Sequence, residues 1–574
     1  VTETPRGTRH SGDIEVGLYR QILLIPFAVE TAAGSGNRLA SGRDRIDALA
    51  RLLAGSPWKE ITADRWRHLP AGDGDGLAES YAEFVYFEPY VQRYLFGTID
   101  EKPEDAPIRL WRRTDLQALD VVLPGNLGSA PGRYRLRVDR MNLYLFDTGN
   151  VMLVVELAHD ESLACDIADG SPDPSTLARI MALTEHVRRV FPPAFVGEAA
   201  QGADRPALFF PTSLHWATDA TAPLHESPPV PAASFLDFVK ECRAARLHPA
   251  WRDVLAGLPI EGEPSSDDRP PVHLSLLGDD RAFSMTIMQV DDIGAVSEPD
   301  WVRIAMCDGP GVGWPYSRAF LDGWERRQTY DRHFDAAAGS GTRYLLSGYS
   351  FAMVGSTPGP EETDLFRNVF VGHGRRHYFQ LALIAYFQKA ALVTLSERLS
   401  DAMSARPRAP EVVEAIEQDI LQFSTRYWFE TLSAQVQAQE LFDLLRENLR
   451  LRPLYDQIRR EARQAGVSEA AREQRRLAHN QNRLNLIAGV GLPLTIISGI
   501  LGMNVFSAGD NLQWPLTWLT IFLIVGAVGS LFVALYGWSD SLERRFAESG
   551  NLTWAYLSVP VVILAIGTIG LWLK

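Results

Sequence analysis

Residues able to do chemistry are scattered through this chain, and their spacing bounds what each could do. The three cysteines, Cys165, Cys242 and Cys307, are odd in number and far apart. That suits reduced, buried thiols better than a disulfide framework or a zinc site. His159-Asp160-Glu161 follows an apolar run but lacks a partner at metal-ligand spacing. The acidic groups Asp291-Asp292, Glu361-Glu362-Asp364 and Asp73-Gly74-Asp75-Gly76 have the oxygens to hold Mg2+ weakly, and each reads first as a solvated loop. The glycine-rich segment from Asp308 to Gly313 contains Pro310 and lacks the dinucleotide fingerprint, so it reads as a turn. With no phosphate-binding Walker loop, no Gly-x-Ser-x-Gly elbow and no His-Glu-x-x-His, catalysis is not expected.

The elements that must position any site divide the 574 residues into a polar majority and an apolar end. Formal net charge is −15, which argues against nucleic-acid binding through clustered cations. The mean hydropathy of −0.09 conceals three uncharged stretches, 484–506, 514–538 and 553–573. Each is long enough to cross about 30 Å of hydrocarbon as a helix. Arg472, Arg475, Arg476 and Arg483 precede the first stretch, Arg544 and Arg545 separate the second from the third, and 507–513 has no basic residue. By the positive-inside rule the large N-terminal region is cytoplasmic, in a bacterial-type inner membrane. The third stretch, with Pro560, Gly567 and Gly570, is an additional crossing or an interfacial helix. The polar N-terminal residues show no secretory pattern, so no export of the soluble part is expected.

Residues 1–400 read as an α/β or α+β cytoplasmic domain. Strands are expected over 19–29, 134–145, 151–157, 273–277 and 283–290, where β-branched, aliphatic and aromatic residues concentrate. Helices are expected over 44–53, 175–190, 234–244 and 377–402, from apolar residues three and four apart. After Pro410, Val413, Ile416, Ile420, Phe423 and Tyr427 share one face, followed by Leu432, Val436, Leu441 and Leu444, and predict one long helix up to Pro453. A second helix from Pro453 to Asn504 would be about 75–80 Å long. The stretch 409–483 thereby forms a helical stalk running into the first apolar span.

That span ends Leu492-Pro493-Leu494-Thr495-Ile496-Ile497-Ser498-Gly499-Ile500-Leu501-Gly502-Met503-Asn504. It resembles the CorA family of divalent-cation channels, whose first span ends in Gly-Met-Asn at the outer mouth. The resemblance is specific over 484–538 and architectural before it. It implies a homopentamer, with the first span lining the pore and the second in an outer ring. It marks Gly502, Met503 and Asn504 as the selectivity filter, Thr495 and Gly499 as pore-lining, and Arg544 and Arg545 as a membrane-proximal basic cluster. The chemistry is consistent: Mg2+ dehydrates reluctantly, so a ring of Asn504 carbonyl oxygens could select it by hydrogen-bonding its water shell. Further back on the same face, Leu492 and Leu484 are candidate gates that close by dewetting.

Three departures from the family follow. The soluble region is larger, the third apolar segment is additional, and Asp510 is the single acidic residue of the outer loop. Arg475, Arg476 and Arg483 would oppose cation flow if they faced the axis, and pointing outward to lipid headgroups is the favoured reading. The expected function is passive flux of Mg2+, with Zn2+, Co2+ or Ni2+ as other cargo and a regulatory role for Mg2+ implied by the family. The expected partners are four further copies of the chain, the bilayer, divalent cations and a small-molecule ligand of the cytoplasmic domain. The rival reading keeps the pore scaffold but makes it an effector gated by that ligand.

Overall fold

The computed structural model describes residues 9–31, 41–61, 84–97, 102, 105–124, 132–159, 165–166, 172–173, 175–192, 210–221, 223–227, 247–261, 271–311, 316–335, 338–359, 362–404 and 410–502. On the last helix side chains are described as far as Asn485, apart from 468–470 and 473. The chain divides into two compact units, 1–463 and 464–574.

The first unit is built on a sheet whose strands, in chain order, are β1 (Val16–Thr31), β2 (Lys59–Ile61), β3 (Ile108–Arg112), β4 (Ala118–Val122), β5 (Arg133–Phe146), β6 (Asn150–His159), β7 (Cys165–Asp166), β8 (Pro172–Asp173), β9 (Ser213–Ala217), β10 (Val272–Leu276), β11 (Phe283–Val290), β12 (Thr329–Asp335), β13 (Ser340–Leu346) and β14 (Ser350–Ser356). Its main path is β12-β13-β14-β11-β1-β6-β5-β3-β2, with β10 also on β1 and β4 bridging β5 to β9. Neighbours are antiparallel except β11 and β14, which run parallel with Ser284 opposite Ser350. The five strands read from sequence are present as β1, β5, β6, β10 and β11. Every residue of β11 and β6 is buried, including the polar Ser284, Thr286 and Gln289 of β11 and Glu156 of β6, so both faces of each strand are covered.

The helices are α1 (Gly42–Leu53), α2 (Pro89–Phe96), α3 (Leu177–Val187), α4 (Pro249–Leu255), α5 (Glu298–Met306), α6 (Arg318–Gln328), α7 (Phe379–Ser404), α8 (Pro410–Arg426), α9 (Val436–Asn448) and α10 (Leu451–Gly502). Alternation along β1 sorts them onto two faces of the sheet. Leu23, Ile25, Phe27 and Val29 share a core with Ile46 and Leu49 of α1, Ile180 of α3, Trp251 of α4 and Trp301 of α5. On the other face Ala28 packs with Ala390 of α7. The N-terminal region is thus α+β, as its sequence reads. The helix expected at 234–244 lies outside the described residues.

Among the described residues one helical segment, Phe366–Ser404, is long and apolar enough to cross a membrane, yet 78% of its apolar window is buried inside the protein. It is a core helix, and Phe387 shows why: its ring stacks on Phe146 at 4.0 Å between centroids and meets Tyr427 edge-on. The segment begins with π-helical turns at Phe366–Phe370 and Gly374–Tyr378. They admit Gly374 so close to the sheet that a Cβ there would lie 2.7 Å from Ile287 Cδ1.

His377, in the second π turn, is 1% exposed, packs edge-on to Phe87 and leaves Nδ1 without a partner. Burial, with a smaller push from His373, lowers its pKa to about 4 from 6.5. Because the folded value is the lower one, its contribution to stability is present above pH 6.5 and is lost as pH falls toward 4. His377→Phe should therefore flatten the fall in stability across that window, by up to about 3 kcal/mol. Urea midpoints measured from pH 7 to 4 check this.

The single long helix expected after Pro410 is two helices, α8 and α9, separated by 427–435. Tertiary partners capture the chain at the break. Tyr427 donates from its hydroxyl to Asp147, its carbonyl accepts from Gln388 Nε2 at 2.8 Å, and Trp428 stacks on Tyr455 at 4.4 Å. Both helices pack against α7.

Candidate functional site

Of the residues singled out from sequence for a pore, Arg475, Arg476, Arg483, Leu484, Leu492, Thr495, Gly499 and Gly502 lie on α10. Its start is sharply defined: Arg450 takes a left-handed conformation (φ 56°), ending the run of α9, and Pro453 sits in the first turn, where a missing N–H costs nothing. From there 52 residues form one helix, about 78 Å at 1.5 Å per residue. The first expected span is helical from Leu484 to Gly502.

Helical phase orders the candidate positions. At about 100° per residue, Leu484, Leu492, Thr495, Gly499 and Gly502 fall within an arc of about 80°. Arg475, Arg476 and Arg483 fall about 120–140° from the middle of that arc. All three arginines are exposed, as is Leu484 at 64%. These five positions therefore share one side of the helix, with Arg475, Arg476 and Arg483 on the other. Met503, Asn504, Asp510, Arg544 and Arg545 lie outside the described residues, as do the stretches 514–538 and 553–573. Of the expected filter, only the Gly502 backbone is placed.

Among the described residues no group of three or more His, Cys, Asp or Glu is placed to hold a metal. The sequence candidates have protein partners instead. Asp291 accepts from Arg9 at 2.7 Å and from the Glu15 amide at 3.1 Å, and Asp292 caps the short helix at Ile293–Ala295. Asp364 accepts from Gln289 Nε2 at 2.9 Å. His159 Nε2 lies 2.9 Å from Ser175 Oγ, joining the end of β6 to the approach to α3. Asp160, Glu161, Glu361 and residues 73–76 lie outside the described residues. Cys307 is buried, with its thiol pKa raised chiefly by burial.

Two polar features of the first unit are invisible to motif reading. Between β1, β11 and α3, Tyr19, Gln21, Thr184 and Ser284 form a buried hydrogen-bonded chain, with Tyr19 Oη 2.8 Å from Thr184 Oγ1 and Gln21 Nε2 donating to Ser284 Oγ at 3.0 Å. Second, Arg188, 1% exposed, and Arg45, 5% exposed, are buried with no ion pair among the described residues. Arg45 carried a weak sequence signal, since it shares the face of α1 with Leu49 and Leu53, four and eight residues on.

These features define a class only coarsely: an α+β N-terminal region followed by a helical C-terminal part that ends in an apolar stretch. No family model, no curated protein and no solved structure matches the chain.

Proposed function

We propose that the chain is a CorA-like, pentameric membrane channel for divalent cations, Mg2+ above all, with passive flux through a pore formed by the 484–506 segment and filtered by Asn504. The observation that supports this reading is a helical stripe that ends at the glycine of the Gly-Met-Asn sequence: Thr495 and Gly499 share the Leu484-Leu492-Gly502 face of α10, with Arg475, Arg476 and Arg483 on the opposite side. A single stripe per chain makes a closed pore only when cyclic symmetry repeats it. In this arrangement the large N-terminal unit is cytoplasmic, and 514–538 and 553–573 are further spans.

Leu492→Ser tests the gate. Replacing an apolar ring with hydroxyls should favour wetting and raise resting Mg2+ flux several-fold, on the order of 1 kcal/mol off the barrier. Stopped-flow measurement with a Mg2+ dye inside vesicles reads it.

A second reading makes the same pore the output of a ligand sensor. Arg45, buried in the large N-terminal unit with no ion pair among the described residues, is the observation that favours it. Growth separates the two. Expression in a strain without Mg2+ uptake systems should restore growth on limiting Mg2+ if the protein is a transporter. An effector would give no rescue, or would arrest growth once triggered.

A further inference from the structure

Two histidines of the first unit meet where β9 borders β4. His215 on β9 lies opposite Asp120 of β4, and Asp120 lies opposite Arg135 of β5. Residues directly opposite across antiparallel strands point to the same face, so Arg135, Asp120 and His215 form one cross-strand row. Asp120 is 1% exposed and accepts from Arg135 Nε at 2.6 Å and from its Nη2 at 2.7 Å. The same carboxylate accepts from the His225 backbone amide at 2.8 Å, and two residues on the Ser227 amide donates to Ser213 Oγ at 2.7 Å. These two tethers hold 223–227 beside β9. They set the His225 ring 4.2 Å from the His215 ring, centre to centre, with the planes at 52°.

Among the described residues neither imidazole takes part in a hydrogen bond or an ion pair. Packing does not account for their contact, because His215 is half-buried and His225 is exposed. Burial lowers the His215 pKa and the neighbouring His225 lowers it further, which keeps a nitrogen lone pair available at neutral pH. Asp120 and Asp253 of α4 act on His215 in the opposite sense. The Asp253 carboxylate has no hydrogen bond or ion pair among the described residues, so the surroundings of the pair favour a cation.

We propose that His215 and His225 together bind a divalent transition-metal ion of the class that prefers imidazole, namely Zn2+, Ni2+ or Cu2+, with water completing its coordination. Imidazole nitrogens hold such an ion at about 2.0–2.1 Å, so two of them on one ion stand about 3 Å apart. Ring centres 4.2 Å apart put the nitrogens of the two rings within a rotation about χ2 of that separation. The pair supplies two protein ligands, fewer than a structural zinc site, and leaves positions open to water. Neutral nitrogen donors discriminate against Mg2+, which takes oxygen ligands. The inference therefore stands apart from cation conduction, and its test reads binding alone.

Titration calorimetry on the full-length protein in detergent, purified without a histidine tag, tests it, with Zn2+, Ni2+ and Cu2+ in separate arms. Binding of about one ion per chain is expected, tightest for Cu2+. The chain holds 12 histidines, so variants must show which of them bind. His225→Asn keeps the backbone amide that Asp120 accepts, and it and His215→Gln should each weaken binding by about tenfold or more. Electron paramagnetic resonance of the Cu2+ complex should show two imidazole nitrogens in the wild type and one in either variant. His225→Asn decides the matter if His215→Gln does not fold. Absence of binding in all three arms, unchanged affinity in the folded variants, or displacement of the bound ion by millimolar Mg2+ would overturn the proposal.

Discussion

Replacing Asn504 with alanine is expected to cut Mg2+ flux through the reconstituted full-length protein by about tenfold or more, with assembly unchanged. The carboxamide would contribute one oxygen acceptor per chain to a ring around a hydrated ion, and alanine removes the whole ring at once. A single hydrogen bond of about 1.4 kcal/mol in the rate-limiting step already corresponds to about tenfold. Selectivity should fall with rate, because monovalent ions with looser hydration depend less on an ordered set of acceptors. Thr495→Val, on the stripe of α10 that ends at Gly502, should have the smaller effect of a second, wider ring. Flux assays across Mg2+, Zn2+ and Co2+ read all of this. Unchanged flux and selectivity in Asn504→Ala would remove the filter from the account while leaving the pore helix in place.

Phe387→Ala is expected to destabilise the N-terminal unit by about 3–5 kcal/mol, the range for truncating a fully buried aromatic residue. Phe387 is 0% exposed, stacks on Phe146 and lies edge-on to Tyr427, so its loss opens a cavity bounded by β5, α7 and the end of α8. Leu421→Ala provides the comparison. Leu421 is 64% exposed on α8, and its substitution should stay within about 0.5 kcal/mol. Urea unfolding followed by tryptophan fluorescence distinguishes the two. The test also bears on how the chain is partitioned: a residue of a lipid-facing helix would show no such cost in the folding of the N-terminal unit, whereas a core residue must.

How much of this architecture was legible in the sequence depended on whether local signals agreed with tertiary ones. The long strands β1, β5, β6 and β11 could be read because each concentrates β-branched and aliphatic residues within the sheet core. The shorter β3, β4 and β12 were not read. Ile108–Arg112 and Thr329–Asp335 mix arginine and aspartate among their apolar residues, and those charges are balanced by contacts distant in sequence, such as Arg109 on Glu60 and Arg343 on Asp331. The break between α8 and α9 failed for the opposite reason. The apolar face continues past Tyr427, but Gln388 takes the carbonyl that would have propagated the helix. Helix α10 was legible because Pro453 opens it and its polar, Arg- and Gln-rich stretch runs straight into the apolar span, the helix continuing through Pro493.

The sites divide in the same way. Gly502, Met503 and Asn504 were readable as the proposed filter because a short motif at the end of an apolar stretch carries chemistry in its residue types alone. Arg45 was not, since its environment is made by Gly149 and the start of α1, about a hundred residues apart in sequence. The acidic pair Asp291-Asp292 looked like a weak cation site, and its carboxylates instead accept from Arg9, Glu15 and the Gly294 amide. A cluster of carboxylates in sequence does not say which donors the fold will bring to it.

The most direct measurement is Mg2+ entry into liposomes containing the purified full-length protein, under an imposed inside-negative potential and with no nucleotide. A potential of 100 mV contributes about 2.3 kcal/mol per unit charge, so a divalent ion gains about twice that on crossing. The account predicts Mg2+ influx that rises with potential and is lost in Asn504→Ala. Vesicles that stay sealed to Mg2+, Zn2+ and Co2+ at every potential, while holding folded protein, would contradict it.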